Sequence, residues 1–322
     1  MTVTNETTVT EFILLGFTGI THIKLLLFAI FLFIYIVTVT GNMIIVAIVY
    51  GDVHLHKPMY LFLSNLSFLE ILYTSNIIPK MLFDIVMENP TVPFTGCIIQ
   101  LYIFGSLGST ECFLLGAMAY DRYVAICKPL HYSLIMTIRT SFIMALCSWC
   151  TGFIATFGAI ILVSQLHFCG PNRIRHFFCD LQPVMKLSCK TAYTMETVSW
   201  VLASTILLGS CFLTLASYAR IIITIIQIPS SKSRQKAFST CTSHLTVVII
   251  FYGAMISMYV SPNAMKSEDF NKVSSLLYTV VTPFMNPFIY TLRNQDVKQA
   301  LHKATLKICI YKKFGISNSK NS

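Results

Sequence analysis

Two carboxylates stand alone inside apolar runs. Glu70 interrupts Pro58 to Pro79, and Glu111 interrupts Asn89 to Tyr120. Two like charges in a low-dielectric interior cannot both stay ionised unless a cation or protons neutralise them. Asp121, Arg122 and Tyr123 close the second run. An unpaired arginine near a membrane boundary is expensive, and Asp121 beside it can hold it in a resting pair. Further on, Pro283 and Pro287 stand four apart, with Asn286 between them and Tyr290 after. Pro287 has no N–H for the carbonyl of residue 283, which weakens a helix there and favours a kink. None of this is a catalytic constellation. The chain contains no H-E-x-x-H and no G-x-S-x-G. His54 and His56 share a short loop, His244 opens an apolar run, and together they form no ligand set, so the chain is read as no enzyme.

The elements that carry these residues follow from composition. Of 322 residues, 55% are hydrophobic and 11% charged, and the mean hydropathy is +0.70. A soluble domain needs roughly 25% charged residues to solvate its surface. Disorder requires few large apolar residues and dense charge, so it is excluded as well. The chain must face lipid. A helix needs roughly 20 apolar residues to cross the hydrocarbon core, and seven runs qualify, at approximately 25–51, 58–83, 97–121, 140–163, 197–226, 237–260 and 272–292. The expected fold is an all-α membrane bundle of seven helices over residues 24–292. A polar tail at 1–23 precedes it, and a cytoplasmic helix and tail at 293–322 follow. The alternation of a membrane barrel is missing from these runs, and no internal repeat of the transporter kind is visible. The first residues lack the basic stretch and short apolar core of a cleaved signal peptide.

Lys and Arg set the orientation. With the N-terminus outside, the inner side holds 15 basic residues against three acidic ones, and the outer side holds eight of each. The positive-inside rule therefore supports N-out, C-in. Four cysteines fall outside on this topology, Cys97, Cys169, Cys179 and Cys189, and they allow three pairings. Asn5-Glu6-Thr7 is a glycosylation sequon on the same side. After Tyr290, Val297, Leu301, Ala304 and Ile308 recur at helical spacing beside lysines. That pattern describes an amphipathic helix on the inner leaflet, whose anionic lipids attract the charge. Cys309 is a palmitoylation candidate. The membrane accounts for the basic residues, and no nucleic-acid partner is expected.

Four long motifs carry a family resemblance. They are Pro58-Met59-Tyr60 with Leu63-Ser64-Asn65-Leu66-Ser67; Met118-Ala119-Tyr120-Asp121-Arg122-Tyr123-Val124-Ala125-Ile126-Cys127; Lys236-Ala237-Phe238-Ser239-Thr240-Cys241-Thr242-Ser243-His244-Leu245; and Pro283-Phe284-Met285-Asn286-Pro287-Phe288-Ile289-Tyr290. In this order, on these spans, the chain resembles the rhodopsin-like G-protein-coupled receptors, and within them the tetrapod-type odorant receptors, from about Phe12 to about Leu306.

The resemblance implies an odorant receptor at the plasma membrane that activates a stimulatory, olfactory-type heterotrimeric G-protein and raises cAMP. Asp121, Arg122, Tyr123, Tyr218, Asn286, Pro287 and Tyr290 would form its switch. Receptor-trafficking accessory proteins are implied as partners. It also implies a Cys97–Cys179 bridge with Cys169–Cys189 as the second, and a Na⁺-sized site at Glu70 and Glu111, with Asn42 and Asn286 as neighbours. Glu at position 70 departs from the aspartate usual in the wider family. The ligand set carried over by offset is Phe104, Gly105, Gly108, Ser109, Leu202, Ile206, Tyr252, Met255, Ile256, Tyr259 and Thr279. Phe104 stands where amine receptors carry an aspartate, which implies a neutral or weakly polar ligand in an apolar pocket. Two other classes stay open at this point: a receptor for a non-odorant metabolite, and a channel or transporter using Glu70 and Glu111 as an ion path. Flux across a bilayer without any G-protein would mark the latter.

Overall fold

The computed structural model describes residues 9–17, 21–87, 90–168, 171–188, 193–259, 268–293 and 296–306. Apolar runs without access to water must close their backbone hydrogen bonds internally, and helices result. Among the described residues these are α1 (Thr21–Gly51), α2 (Pro58–Val86), α3 (Phe94–Cys127), α4 (Ile138–Ser164), α5 (Tyr193–Ile226) and α6 (Ser231–Tyr259). The seventh, α7, is composite: Glu268–Leu276, a π turn at Leu277–Val281, then Thr282–Arg293. A short helix, α8, occupies 296–306.

Helices α1 to α5 each contain a stretch long and apolar enough to cross a membrane, whereas α6 is apolar over His244–Met258 only. The elements overrun the apolar runs that announce them. Helix α3 exceeds the expected 97–121 at both ends, and α6 starts at Ser231 rather than 237. Hydropathy marks where lipid ends; the helix itself ends at its caps. Thr137, for instance, caps α4 by accepting from the Thr140 amide at 3.1 Å.

Helix α3 forms the axis, packing on α2, α4 and α5 and burying Leu107, Leu114, Leu115 and Met118. Phe33 and Ile36 on α1, Ile154 on α4 and Phe212 on α5 point outward to lipid. The α3–α4 crossing depends on Gly152. A Cβ there would stand 2.2 Å from the Thr110 hydroxyl and 2.9 Å from the Ser106 carbonyl. Small residues let membrane helices approach to backbone contact, and this is such a place.

The outer end departs from the expectation of a polar tail at 1–23. Glu11–Leu14 form a strand, β1, between β2 (Thr91–Pro93, antiparallel) and β3 (Arg173–Ile174, parallel, Ile13 opposite Arg173). Alternation sends Phe12 and Leu14 inward, where both are buried. Cys97 and Cys179 are bridged, with 5.4 Å between their Cα atoms, which ties the loop after α4 to the start of α3. Cys169, Cys189 and Asn5 lie outside the described residues.

Helix α7 also differs from expectation. The irregular turn is not at Pro287, which sits inside Thr282–Arg293, but at Leu277–Val281. Pro283 cannot donate to the carbonyl four residues back, and the ladder shifts to five-residue spacing just ahead of it. The Thr282 amide and hydroxyl both turn to the Leu277 carbonyl, the hydroxyl at 3.0 Å. In α8, Val297 and Ala300 are buried, while Tyr60 donates to Asp296 at 2.9 Å. Ile308 and Cys309 lie outside the described residues.

Candidate functional site

At the inner end of α3, Asp121 is fully buried and is contacted from two sides. Arg122 donates to its Oδ2 from Nε at 3.0 Å and from Nη2 at 2.5 Å, and the Tyr132 hydroxyl donates to Oδ1 at 2.9 Å. Arg122 and Asp121 are therefore paired, and Tyr132, from the helical turn Tyr132–Ile135, is the second donor to the carboxylate. Burial first, and the Asp121 carboxylate next, push the Tyr132 hydroxyl above its usual range, which keeps it a donor. Lys128 lies 5.9 Å over the Tyr123 ring. Beside this cluster, Tyr218 of α5 and His244 of α6 share a 2.5 Å hydrogen bond. Both are buried, and Tyr218 packs in a group that includes Ala119, Ile221 and Cys241. His244 stood without a partner in the sequence. Its place between helices could be found only by knowing which face of α6 meets α5.

Halfway along, Asn286 of α7 donates to Glu70 Oε1. Asn42 of α1 donates to the Thr38 carbonyl at 3.0 Å and to the Pro283 carbonyl at 3.5 Å. The latter is the carbonyl that Pro287 leaves without a helical donor. Gly41 lets α1 approach there: a Cβ on it would stand 3.0 Å from Pro287 Cβ. Glu70 and Glu111 are both buried and within electrostatic reach of each other. Five buried oxygens in this layer have no hydrogen-bond partner among the described residues: Thr38 Oγ1, Asn42 Oδ1, Glu70 Oε2, Glu111 Oε1 and Asn286 Oδ1. An all-oxygen set with two carboxylates fits a hard cation. No cluster of three or more His, Cys, Asp or Glu side chains occurs among the described residues, so the set does not fit a transition metal. The Tyr290 side chain lies outside the described residues.

Towards the outer face a cavity of about 120 Å³ opens between α3, α4 and α5. Of the residues expected to line it, Phe104, Gly105, Gly108, Ser109, Leu202, Ile206 and Met255 do so. Tyr252, Ile256 and Thr279 do not. The Tyr252 hydroxyl donates to the Cys112 carbonyl at 3.3 Å, the Thr279 hydroxyl donates to the Ser275 carbonyl at 2.7 Å, and Ile256 packs on the core. The Tyr259 side chain lies outside the described residues. The cavity is thus displaced from α6 and α7 towards α4, which contributes Ala155, Thr156, Ala159 and Ile160. The sequence carried no motif on α4 that could announce these. The outer loop adds Asp180 and Leu181, and α5 adds Ser199. The same loop segment carries Phe178, whose ring stands 5.0 Å from that of Phe104, and disulfide-bonded Cys179, and so serves as a lid at this end; it is steadied where Gln100 accepts from the Cys179 amide at 3.0 Å.

Comparison with known proteins converges on one family. The family profile described as olfactory receptor matches residues 31–308. Human olfactory receptor 6B1 is 52% identical over 303 residues, 94% of this chain and 97% of that protein. Human olfactory receptor 11L1 is 48% identical over 305 residues, covering 95% of each. Olfactory receptor 226 of Rattus norvegicus is 50% identical over 299 residues, 92% of this chain and 91% of its own length.

Proposed function

Because this chain belongs to the olfactory receptor family of seven-helix G-protein-coupled receptors, we propose that it reads its odorant in the cavity between α3, α4 and α5 and reports it through Arg122. Members of the family are multi-pass plasma-membrane receptors, not enzymes; they take odorants and couple to heterotrimeric G-proteins. The observation that carries the reading is the pairing of Arg122 with a buried Asp121 at the inner mouth of the same helix whose outer half walls the cavity.

The mechanism follows from the placement of the groups. Phe104, Gly105, Gly108 and Ser109 on α3, Leu202 and Ile206 on α5, and Met255 on α6 contact the odorant; Tyr252, Ile256 and Thr279 form the layer behind. A ligand wedged against Met255 biases α6 relative to α3 and α5. Tyr218 and His244 join α5 to α6 directly beside Arg122. Outward movement of α6 strains that bond and opens the inner mouth, and Arg122 exchanges Asp121 for the G-protein's C-terminal helix. Asn286, Pro287 and Tyr290 relay the change through α7.

A Na⁺ ion held by oxygens of Glu70, Glu111, Asn42 and Asn286 would neutralise the paired carboxylates and favour the resting packing. The partner is a stimulatory, olfactory-type G-protein that raises cAMP. Trafficking proteins and inner-leaflet lipids on α8 support surface expression, Asn5 carries a glycan, and Cys169 pairs with Cys189. A cAMP reporter in cells displaying the receptor tests the reading. A volatile agonist found on wild type should lose its response by at least about a hundredfold in Arg122→Ala at equal surface expression. An undiminished response would refute it.

A further inference from the structure

The disulfide fixes the lid at Cys179, but a run of aromatic rings reaches it from the far end of the sequence. Phe178 meets Phe104 of the cavity wall, and Phe177 meets Phe178 with 5.1 Å between ring centroids. Behind Phe177 stands Phe17 of the N-terminal tail, stacked on it at 5.6 Å with 17° between the planes. Phe17 also meets Phe31 of α1 at 5.6 Å. The tail that carries Phe17 is itself tied down. The Leu15 amide donates to the Ile174 carbonyl at 2.7 Å. Lys272, in the first segment of α7, donates to the Leu15 carbonyl at 3.3 Å and to the Gly16 carbonyl at 2.9 Å. Both carbonyls lie just past β1, so a side-chain donor takes over where strand pairing stops. Gly16 allows the tail to lie close against the loop, since a Cβ there would stand 3.2 Å from Phe177 Cβ.

We infer that Gly16, Phe17 and Lys272 are positioning residues for the lid: the tail is a strap that Lys272 pins to α7, and it holds Phe177 and Phe178 down on Phe104. That the space beneath holds an odorant rests on the function proposed above; the strap's hold on the loop does not. Hydrogen bonds from an ammonium to carbonyl oxygens are charge-assisted and stronger than neutral ones. Stacked aromatic pairs add to the area they bury. The two together tie a loop to helices that are themselves anchored in the bundle. Helix α7 holds the loop a second time, where the Ser275 hydroxyl meets His176 Nε2 at 3.1 Å. Loops open locally, with a free energy of their own that is smaller than that of global unfolding. Cutting the strap therefore lowers the cost of lifting the lid and leaves the inner end of α3 as it was.

Two free thiols report the two ends separately. Cys112 lines the cavity, and Cys241 is buried at the inner end beside Tyr218. The full chain in lipid nanodiscs is exposed to a charged, membrane-impermeant methanethiosulfonate, and peptide mass spectrometry reads the modification rate at each cysteine. Lys272→Met should speed modification of Cys112 about tenfold, and Phe17→Ala at least as much, with Cys241 unchanged in both. Lys272→Arg keeps donors for the two carbonyls and should stay near the wild-type rate. Should Phe17→Ala fail to fold, Phe17→Leu keeps apolar bulk without the stacked ring and should speed Cys112 a few-fold. An unchanged Cys112 rate in Lys272→Met or in the Phe17 variant would overturn the inference, because the lid would then be held without the strap. Equal acceleration at Cys112 and Cys241 would overturn it as well, because the substitutions would then loosen the whole bundle. So would Lys272→Arg labelling as fast as Lys272→Met. No odorant or G-protein enters this measurement, so its failure leaves the reading through Arg122 standing, and a response that survives Arg122→Ala leaves the strap standing.

Discussion

The two ends of α3 solve opposite problems. At the inner end Asp121 takes hydrogen bonds from Arg122 and Tyr132, and Tyr218 is bonded to His244. At the outer end most of the wall is hydrocarbon, and the buried Ser199 hydroxyl has no hydrogen-bond partner among the described residues. A polar cluster whose carboxylate is held from two sides has one low-energy arrangement and one strained alternative, which is what a switch requires. An apolar cavity with a few spare polar groups has many acceptable occupants, and small changes in its wall retune it. One end is fixed by the partner it must always meet. The other is free to vary with the ligand.

Both ends depend on α4 staying close to α3, so the largest effect comes at Gly152. Gly152→Leu should drive the helices apart and abolish folding at the cell surface, because overpacking against backbone costs well over the ~1–3 kcal/mol of an ordinary core misfit; flow cytometry on intact cells reads it. Next comes the lid. Cys97→Ser should destabilise the outer end by about 2–4 kcal/mol and lower agonist potency more than basal G-protein coupling, and melting curves with dose–response show whether the loss stays at that end. A third, smaller effect separates cavity wall from backing. Ser109→Ala should shift potency several-fold, while Thr279→Val, which loses a hydroxyl bonded to the Ser275 carbonyl, should stay within about twofold. Equal shifts would move the cavity towards α7.

The smallest effect is a pH dependence at the lid. Burial, and then the charge of Lys272, push His176 down to about 3 from 6.5, so the folded loop holds it neutral. Once unfolded, it takes a proton below pH 6.5. Its contribution is therefore complete above that value and is lost progressively as pH falls towards about 3. Hydrogen-exchange protection of the loop, corrected for the intrinsic pH dependence of amide exchange, should fall from pH 7 to pH 5 in wild type and less in His176→Phe.

The same contrast explains what could be read beforehand. Asp121 with Arg122 needs only adjacency, and Glu70 and Glu111 announce themselves by interrupting apolar runs. The membrane crossings follow from the cost of burying charge in lipid. The strand at Glu11–Leu14 escaped because four alternating residues in a polar tail mean nothing until the loops at Thr91 and Arg173 come beside them. Lining from Ala155, Ala159 and Ser199 escaped because small residues on a lipid-spanning helix look alike whichever way they face. Helix α7 was legible in its prolines but not in their effect, since the shift to a π turn depends on what Pro283 and Thr282 do together.

Asn42 reaches the Pro283 carbonyl at 3.5 Å, close to the limit of useful hydrogen bonding. That carbonyl would otherwise be bound inside a regular helix. The seam between the first and last rods is thus fastened by a long, frail stitch where a continuous ladder would have been stiff. Were the last rod to slip, this stitch would part first, and at little energetic expense.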